Sequence, residues 1–325
     1  MKFNGFIAAI FAAIIVAYFF PQGNEILPLK TITDIGIGLI FFFYGLKLSP
    51  AEFKMGLLNY KSHIVIQVTT FIIFPLLALL FIPLFEEGIT SEIWIALFFF
   101  ATLPSTVSSS VVMVAIAKGN LPTAIFNASL SGLIGIFATP LWLGIFLQKA
   151  TNFEFMDVLV KLCLQIILPL ILGLVFQKFI GDFARKHGKA LSFIDKTTII
   201  LIIYSSFSNS FSSNIFNTVS PLDLAKLFVI VVLLFFAVYF GLNLVCNALG
   251  FDLKDKIAAQ FCGTKKSLVH GSVMVKVIFG SAASTGLLLL PIMLYHSLQL
   301  LAVAYFAESY RKKVLAAEGE IVRRR

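Results

Sequence analysis

Apolar residues run in long unbroken blocks along this chain, and polar residues collect between them. Ten blocks fall at about 4–20, 31–49, 62–84, 93–117, 121–147, 157–179, 197–213, 224–249, 255–279 and 284–307. A helix needs roughly 20 apolar residues to cross the hydrocarbon core of a bilayer. The pattern therefore predicts an all-α polytopic membrane protein with ten transmembrane helices. Turn chemistry punctuates the blocks at Pro21-Gln22-Gly23, Glu86-Glu87-Gly88, Lys118-Gly119-Asn120 and Ser220-Pro221. The seventh block is diluted by Ser205, Ser206, Ser208, Asn209, Ser210, Ser212 and Ser213. Such a helix must hide its polar face inside the protein or in a water-filled cavity.

Composition agrees with this reading. Of 325 residues 59% are apolar and 13% charged, against about 45–50% and about 25% in soluble domains. A cytosolic enzyme, a disordered chain and a disulfide scaffold are excluded. Cys163, Cys246 and Cys262 all lie in apolar runs and carry no redox or zinc pattern.

The net charge of +9 needs its distribution. Both termini and the connections after spans two, four, six and eight hold 18 of the 25 Lys and Arg, among them Lys47, Lys118, Lys196 and Arg311-Lys312-Lys313. The other connections hold four, with Glu86, Glu87, Glu92, Glu154 and Asp157 beside them. By the positive-inside rule both termini are cytoplasmic, as an even number of spans requires. The expected location is a bacterial inner membrane, and the basic balance reflects topology rather than a nucleic-acid partner. Met1-Lys2 and the apolar run after it end in Phe19-Phe20-Pro21 without a small-residue cleavage site, so the first helix is read as retained.

Ten spans divide into two halves of five, 1–150 and 151–325, the second ending in a short basic tail. An odd number per half forces the halves into opposite orientations, an inverted repeat. Landmarks echo across the division: Pro104 in span four against Gly263 in span nine, and Pro140 in span five against Pro291 in span ten.

Two polar interruptions carry the candidate chemistry. In span four, Pro104 stands among Ser105, Thr106, Ser108, Ser109 and Ser110. Proline removes a backbone donor and clashes with the preceding turn. The freed carbonyls and neighbouring hydroxyls then supply oxygen ligands for a small cation or a polar substrate. Small residues also let membrane helices approach closely, but a proline with five hydroxyls beside it points to a site. In span nine, Gly263-Thr264-Lys265-Lys266-Ser267 precedes His270 and Gly271. Each lysine at a helix centre costs about 2.5–3.5 kcal/mol on insertion scales. No acidic residue lies deep in any span, so the two either bind an anionic substrate or put a tethered charge where a metal cation would sit. Lys276, near the end of the span, reads as a snorkelling residue. Asn127, Asn243, His296 and Gln299 are polar groups that serve equally as interhelical contacts.

At these residues the sequence resembles the bile acid:sodium symporter family, and within it the orphan cotransporter-seven branch with its bacterial relatives. The likeness rests on Phe41-Phe42-Phe43-Tyr44-Gly45-Leu46-Lys47-Leu48-Ser49, on Pro104 to Ser110 with Gly119-Asn120, on Ala124-Ile125-Phe126-Asn127, on Tyr204 to Phe211, and on Phe261 to Ser267. It implies panel and core domains, with spans four and nine broken and crossing where substrate and sodium bind, and alternating access by movement of core against panel. The sodium-coupled members carry an acidic residue in the span-nine crossing and a glutamine shortly after it; Phe261 and Lys265 stand there in this chain. Their Ser-Asn pair in span four falls within Ser108-Ser109-Ser110. The resemblance thus implies one dismantled sodium site with a lysine near the cation's place. It leaves open a second Na+ site built from Ser108, Ser109 and Asn127.

The expected function is secondary active transport of a small organic anion, with sodium coupling reduced or absent and no cofactor other than Na+. The candidate binding residues are Ser105, Thr106, Ser108, Ser109, Ser110, Asn127, Thr264, Lys265, Lys266, Ser267 and His270. Two alternatives share the fold: a sodium-coupled symporter of bile acid or steroid type, and a non-transporting membrane regulator. Nucleophile-elbow, zinc-protease and paired-carboxylate motifs are missing, which argues against an enzyme.

Overall fold

A computed structural model describes residues 5–47, 59–147, 155–217, 219–280, 282 and 284–323. Among them every regular element is helical. Seven helices are long and apolar enough to cross a membrane. In chain order, α1 is Gly5–Phe19, α2 Leu29–Lys47, and α3 runs from Tyr60–Val68 through Thr69–Ile73 into Phe74–Leu79. The fourth block forms two helices, α4 (Glu92–Thr102) and α5 (Ser108–Ile116), and α6 is Leu121–Leu147. Helix α7 runs from Phe155–Leu162 through Cys163–Ile167 into Leu168–Lys186; α8 is Gly188–Ser212 and α9 Pro221–Ala248. The ninth block is again two helices, α10 (Leu253–Gly263) and α11 (Leu268–Phe279), followed by α12 (Thr285–Arg323). The proposed division at residue 150 lies outside the described residues.

Several span ends differ from the sequence reading. The stretch 180–196, expected as a connection, is helical almost throughout, with a break at His187 between α7 and α8. Its charged residues need water, not a loop, so both helices continue beyond their apolar blocks. Helix α12 likewise continues past residue 307 through Arg311-Lys312-Lys313.

Two helices widen into a π-turn at the same offset before a proline. Thr69–Ile73 ends two residues before Pro75, and Cys163–Ile167 two residues before Pro169. A proline cannot donate to the carbonyl four residues back, and the extra residue relieves its clash with that turn. The carbonyl of Phe71, which Pro75 leaves without a donor, accepts from Trp142 Nε1 at 2.6 Å.

Outer faces are apolar: α7 exposes Leu164, Leu168, Ile171, Leu172 and Val175, as lipid-facing helices do. Inside, α2 packs on α7, α1 on α8, and α8 also on α2. Helix α2 meets α7 at two glycines. A Cβ on Gly45 would stand 2.3 Å from the Leu170 carbonyl, and one on Gly173 would stand 2.2 Å from that of Phe42. A second set contains α3 to α6 and α9 to α12, among which α4 and α11 pack on α12 and α10 on α3 and α9. Each set draws helices from both halves of the chain.

Ser205, Ser206, Ser208 and Ser210 of the seventh block are buried inside the protein, whereas Ser212 and Ser213 at its end are exposed. Tyr204 donates to the Phe20 carbonyl at 2.7 Å, and Ser208 donates to that of Pro21. Asn24 Nδ2 donates to the Ser205 carbonyl at 3.0 Å and to Asn209 Oδ1 at 2.6 Å, while Ser210 Oγ accepts from Gly286 N at 2.9 Å. The turn after α1 and the start of α12 are thereby tied to α8.

Candidate functional site

The two breaks meet. Residues 103–107 and 264–267 are unwound, and each satisfies the other's backbone. Ser267 N donates to the Pro104 carbonyl at 2.9 Å, and Ser105 Oγ donates to the Cys262 carbonyl at 2.5 Å. Ser105 N donates to Ser131 Oγ at 2.9 Å. The side-chain amide of Gln299 closes a pair with the Lys266 backbone, accepting from its N–H at 3.0 Å and donating to its carbonyl at 2.9 Å. Tyr295 donates to the Thr264 carbonyl. Buried peptide groups outside a helix need such partners, and here side chains from α6 and α12 provide them.

Lys266 is fully buried and pairs with no carboxylate among the described residues. Its ammonium donates to three backbone carbonyls: Thr70 at 2.8 Å, Ala101 at 2.6 Å and Leu103 at 2.7 Å. The Phe74 ring centroid lies 4.3 Å away. Each acceptor has a reason to be free. Ala101 and Leu103 are at the C-terminal end of α4, where helix carbonyls lack partners and the dipole is negative. Thr70 lies in the π-turn of α3. Three donors meet three oxygens, and the aromatic face adds a cation–π contact.

Lys265, also fully buried, is held less completely: its Nζ donates to the Ser109 carbonyl at 2.7 Å. Adjacent residues point about 100° apart on a helix, and the unwound backbone likewise sends the two lysines to different partners.

In front of the breaks lies a cavity of about 450 Å³, between the α1, α2 and α8 set and the helices α5, α11 and α12. Thr106, Ser109, Ser267 and His270 line it, as sequence reading placed them together. Thr106 Oγ1 shares hydrogen bonds with Ser109 Oγ at 2.9 Å and Ser110 Oγ at 2.8 Å. Ser267 Oγ caps α11 and pairs with His270 Nδ1 at 2.9 Å. Helices α5 and α11 both begin at this cavity and turn their positive N-terminal ends toward it.

Other predicted residues are placed elsewhere. Lys265, Lys266, Ser105, Ser110 and Thr264 lie behind the lining, and Thr264 Oγ1 returns to the Gln260 carbonyl at 2.5 Å. The side chain of Ser108 lies outside the described part. Asn127 joins a separate network. Its amide nitrogen meets His63 Nδ1 at 2.8 Å and donates to the Thr123 carbonyl at 2.9 Å, while its oxygen accepts from Gln67 at 3.1 Å. It does not line the cavity that Ser109 lines. Of the expected Na+ set Ser108, Ser109 and Asn127, Ser109 and Asn127 are therefore not brought to one lining.

The cavity also holds residues that sequence reading missed as site residues. Tyr44 and Lys47 come from α2, Asp195 and Lys196 from α8, and His296 from α12. Lys47 and Lys196 entered the sequence reading as topology signals, because they sit at span ends.

Comparison with known proteins gives this arrangement its context. The model of the SBF-like CPA transporter family matches residues 4–312. An uncharacterized protein of Pseudomonas aeruginosa is 33% identical over 312 residues, covering 95% of this chain and 93% of the relative. YfeH of Escherichia coli is 30% identical over 311 residues, covering 95% and 93%. Sodium/bile acid cotransporter 7 of Rattus norvegicus is 30% identical over 307 residues, covering 91% and 88%.

Proposed function

Because the chain belongs to the SBF-like CPA transporter family, and is a transporter rather than an enzyme, we propose that it carries a small organic anion by alternating access without sodium at the crossing. The carbonyl cage around Lys266 carries this reading. Three freed backbone oxygens around one cation are the ligand type of a small alkali-metal site, and a tethered ammonium fills it. A sodium ion beside that charge would be strongly repelled in a low-dielectric interior.

The substrate class follows from the cavity. Two helix N-termini face it, the lysines behind it are uncompensated by acid, and Lys47 and Lys196 stand on its wall. All these features favour a negative ligand. The walls between are apolar, including Phe41, Ile199 and Leu268, so the ligand carries an apolar body. Lys47 ends α2 and Lys196 immediately precedes the apolar block of α8, both in segments that the charge distribution puts on the cytoplasmic side, so this conformation is read as inward-facing. Ten membrane crossings, an inverted repeat, a panel–core division and an inner-membrane location complete the reading. Helices α1, α2, α7 and α8 would form the panel, and the remaining helices the core.

Uptake of cholate and of 2-naphthoate into proteoliposomes, in sodium and in choline buffers, tests the proposal. Uptake undiminished in choline and lost in Lys266→Ala is expected. Uptake that requires sodium would instead support a sodium-coupled symporter, the activity named for the rat relative. No uptake of either probe in either buffer contradicts the transport of organic anions of this class.

A further inference from the structure

Filling the crossing with a lysine removes one source of driving force, so coupling needs another ionisable group. Among the described residues that line the cavity, Asp195 is the sole acidic one. Its Oδ2 lies 3.8 Å from Lys47 Nζ, too far for a hydrogen bond, and its Oδ1 is buried with no hydrogen-bond partner. A carboxylate with one orphaned oxygen and one loose ion pair is poorly satisfied, and it shares its ammonium with the space a ligand would enter. The other ionisable groups on the lining are Tyr44 on α2, Lys196 on the same helix, His270 on α11 and His296 on α12. Helix α1 contributes Phe6, over which Lys196 lies at 5.9 Å, and α7, though packed on α8, contributes no lining residue.

We propose that Asp195 is the proton-accepting group of the transport cycle: an anion entering the cavity takes its place beside Lys47, and the displaced carboxylate binds a proton. Charge balances, because one anion and one proton enter together and the protein's Lys47 cation keeps one counter-ion throughout. Two carboxylates beside one ammonium repel each other, and a proton from the water at the mouth removes that repulsion. The consequence is anion–proton symport in equal numbers. This inference rests on the organic-anion reading above.

The test uses the full chain in weakly buffered detergent, titrated with cholate and with 2-naphthoate. For the wild type we expect one proton taken up per anion bound, affinity that tightens as pH falls, and a protonated-carboxyl band in the infrared difference spectrum. In Asp195→Asn the band and the proton uptake should vanish. The anion should bind at least about tenfold more tightly at neutral pH, because Lys47 no longer has a competitor. If Asp195→Asn keeps the pH dependence, the histidines are responsible and the inference is overturned, with anion binding left standing. Anion binding by the wild type without proton uptake overturns it as well. Should the variant fail to fold, the wild-type stoichiometry and infrared band decide alone. No binding of either probe by the wild type overturns the organic-anion reading and this inference with it.

Discussion

Two pairs of lysines serve opposite purposes in this molecule. At the crossing, Lys266 is buried and saturated by three carbonyls, while at the cavity wall Lys47 is partly exposed and holds a carboxylate at 3.8 Å. The first pair is held by backbone oxygens that broken helices release, with no acidic partner among the described residues. The second shows a cation kept available. A buried charge is evidence for a ligand only when its own donors are unused, and by that criterion the cavity-wall lysines are the better candidates for contact with an anion.

Substitutions can break or sharpen this contrast. Lys266→Met should have the largest effect, because three carbonyls lose a donor in a dry interior. A loss of about 1–3 kcal/mol for each carbonyl left unpaired is expected, read as a lower melting temperature in detergent. Lys265→Met removes one charge-assisted bond to Ser109, for which about 1.5–3 kcal/mol is expected. Equal losses for the two would contradict their unequal partnering. Lys47→Gln breaks only a loose, part-exposed pair, and stability should change by less than about 1 kcal/mol. Cholate binding to that variant should nevertheless weaken about tenfold. Arg311→Ala, in an exposed pair with Glu308, should leave both melting temperature and binding unchanged.

Much of the fold is legible in hydropathy alone, since a bilayer demands long apolar helices and leaves few alternatives. Both breaks were legible too, from Pro104 and from the polar run between Gly263 and Ser267. What could not be read was who satisfies them. The third carbonyl around Lys266 comes from Thr70, far away in sequence and freed by a π-turn before Pro75, and no local pattern announces it. Gln299 has nothing in the sequence to set it apart from any intramembrane glutamine, yet its amide pairs with the Lys266 backbone. The cavity residues Lys47, Asp195 and Lys196 were obscured for another reason. Charges at span ends serve topology everywhere in such chains, so those few that also face a binding space carry no separate mark. The serines of α8 illustrate the converse: a conspicuous polar stripe that ties down the turn after α1 and the start of α12.

The central claim is that Lys266 stands in a cation's place, and thermal stability of the purified protein in sodium against choline tests it most directly. The wild type should melt at the same temperature in both. Lys266→Ala, with the carbonyl cage vacated, should be less stable in choline and partly restored by sodium. A wild type stabilised by sodium, with an alanine variant indifferent to it, would contradict the claim.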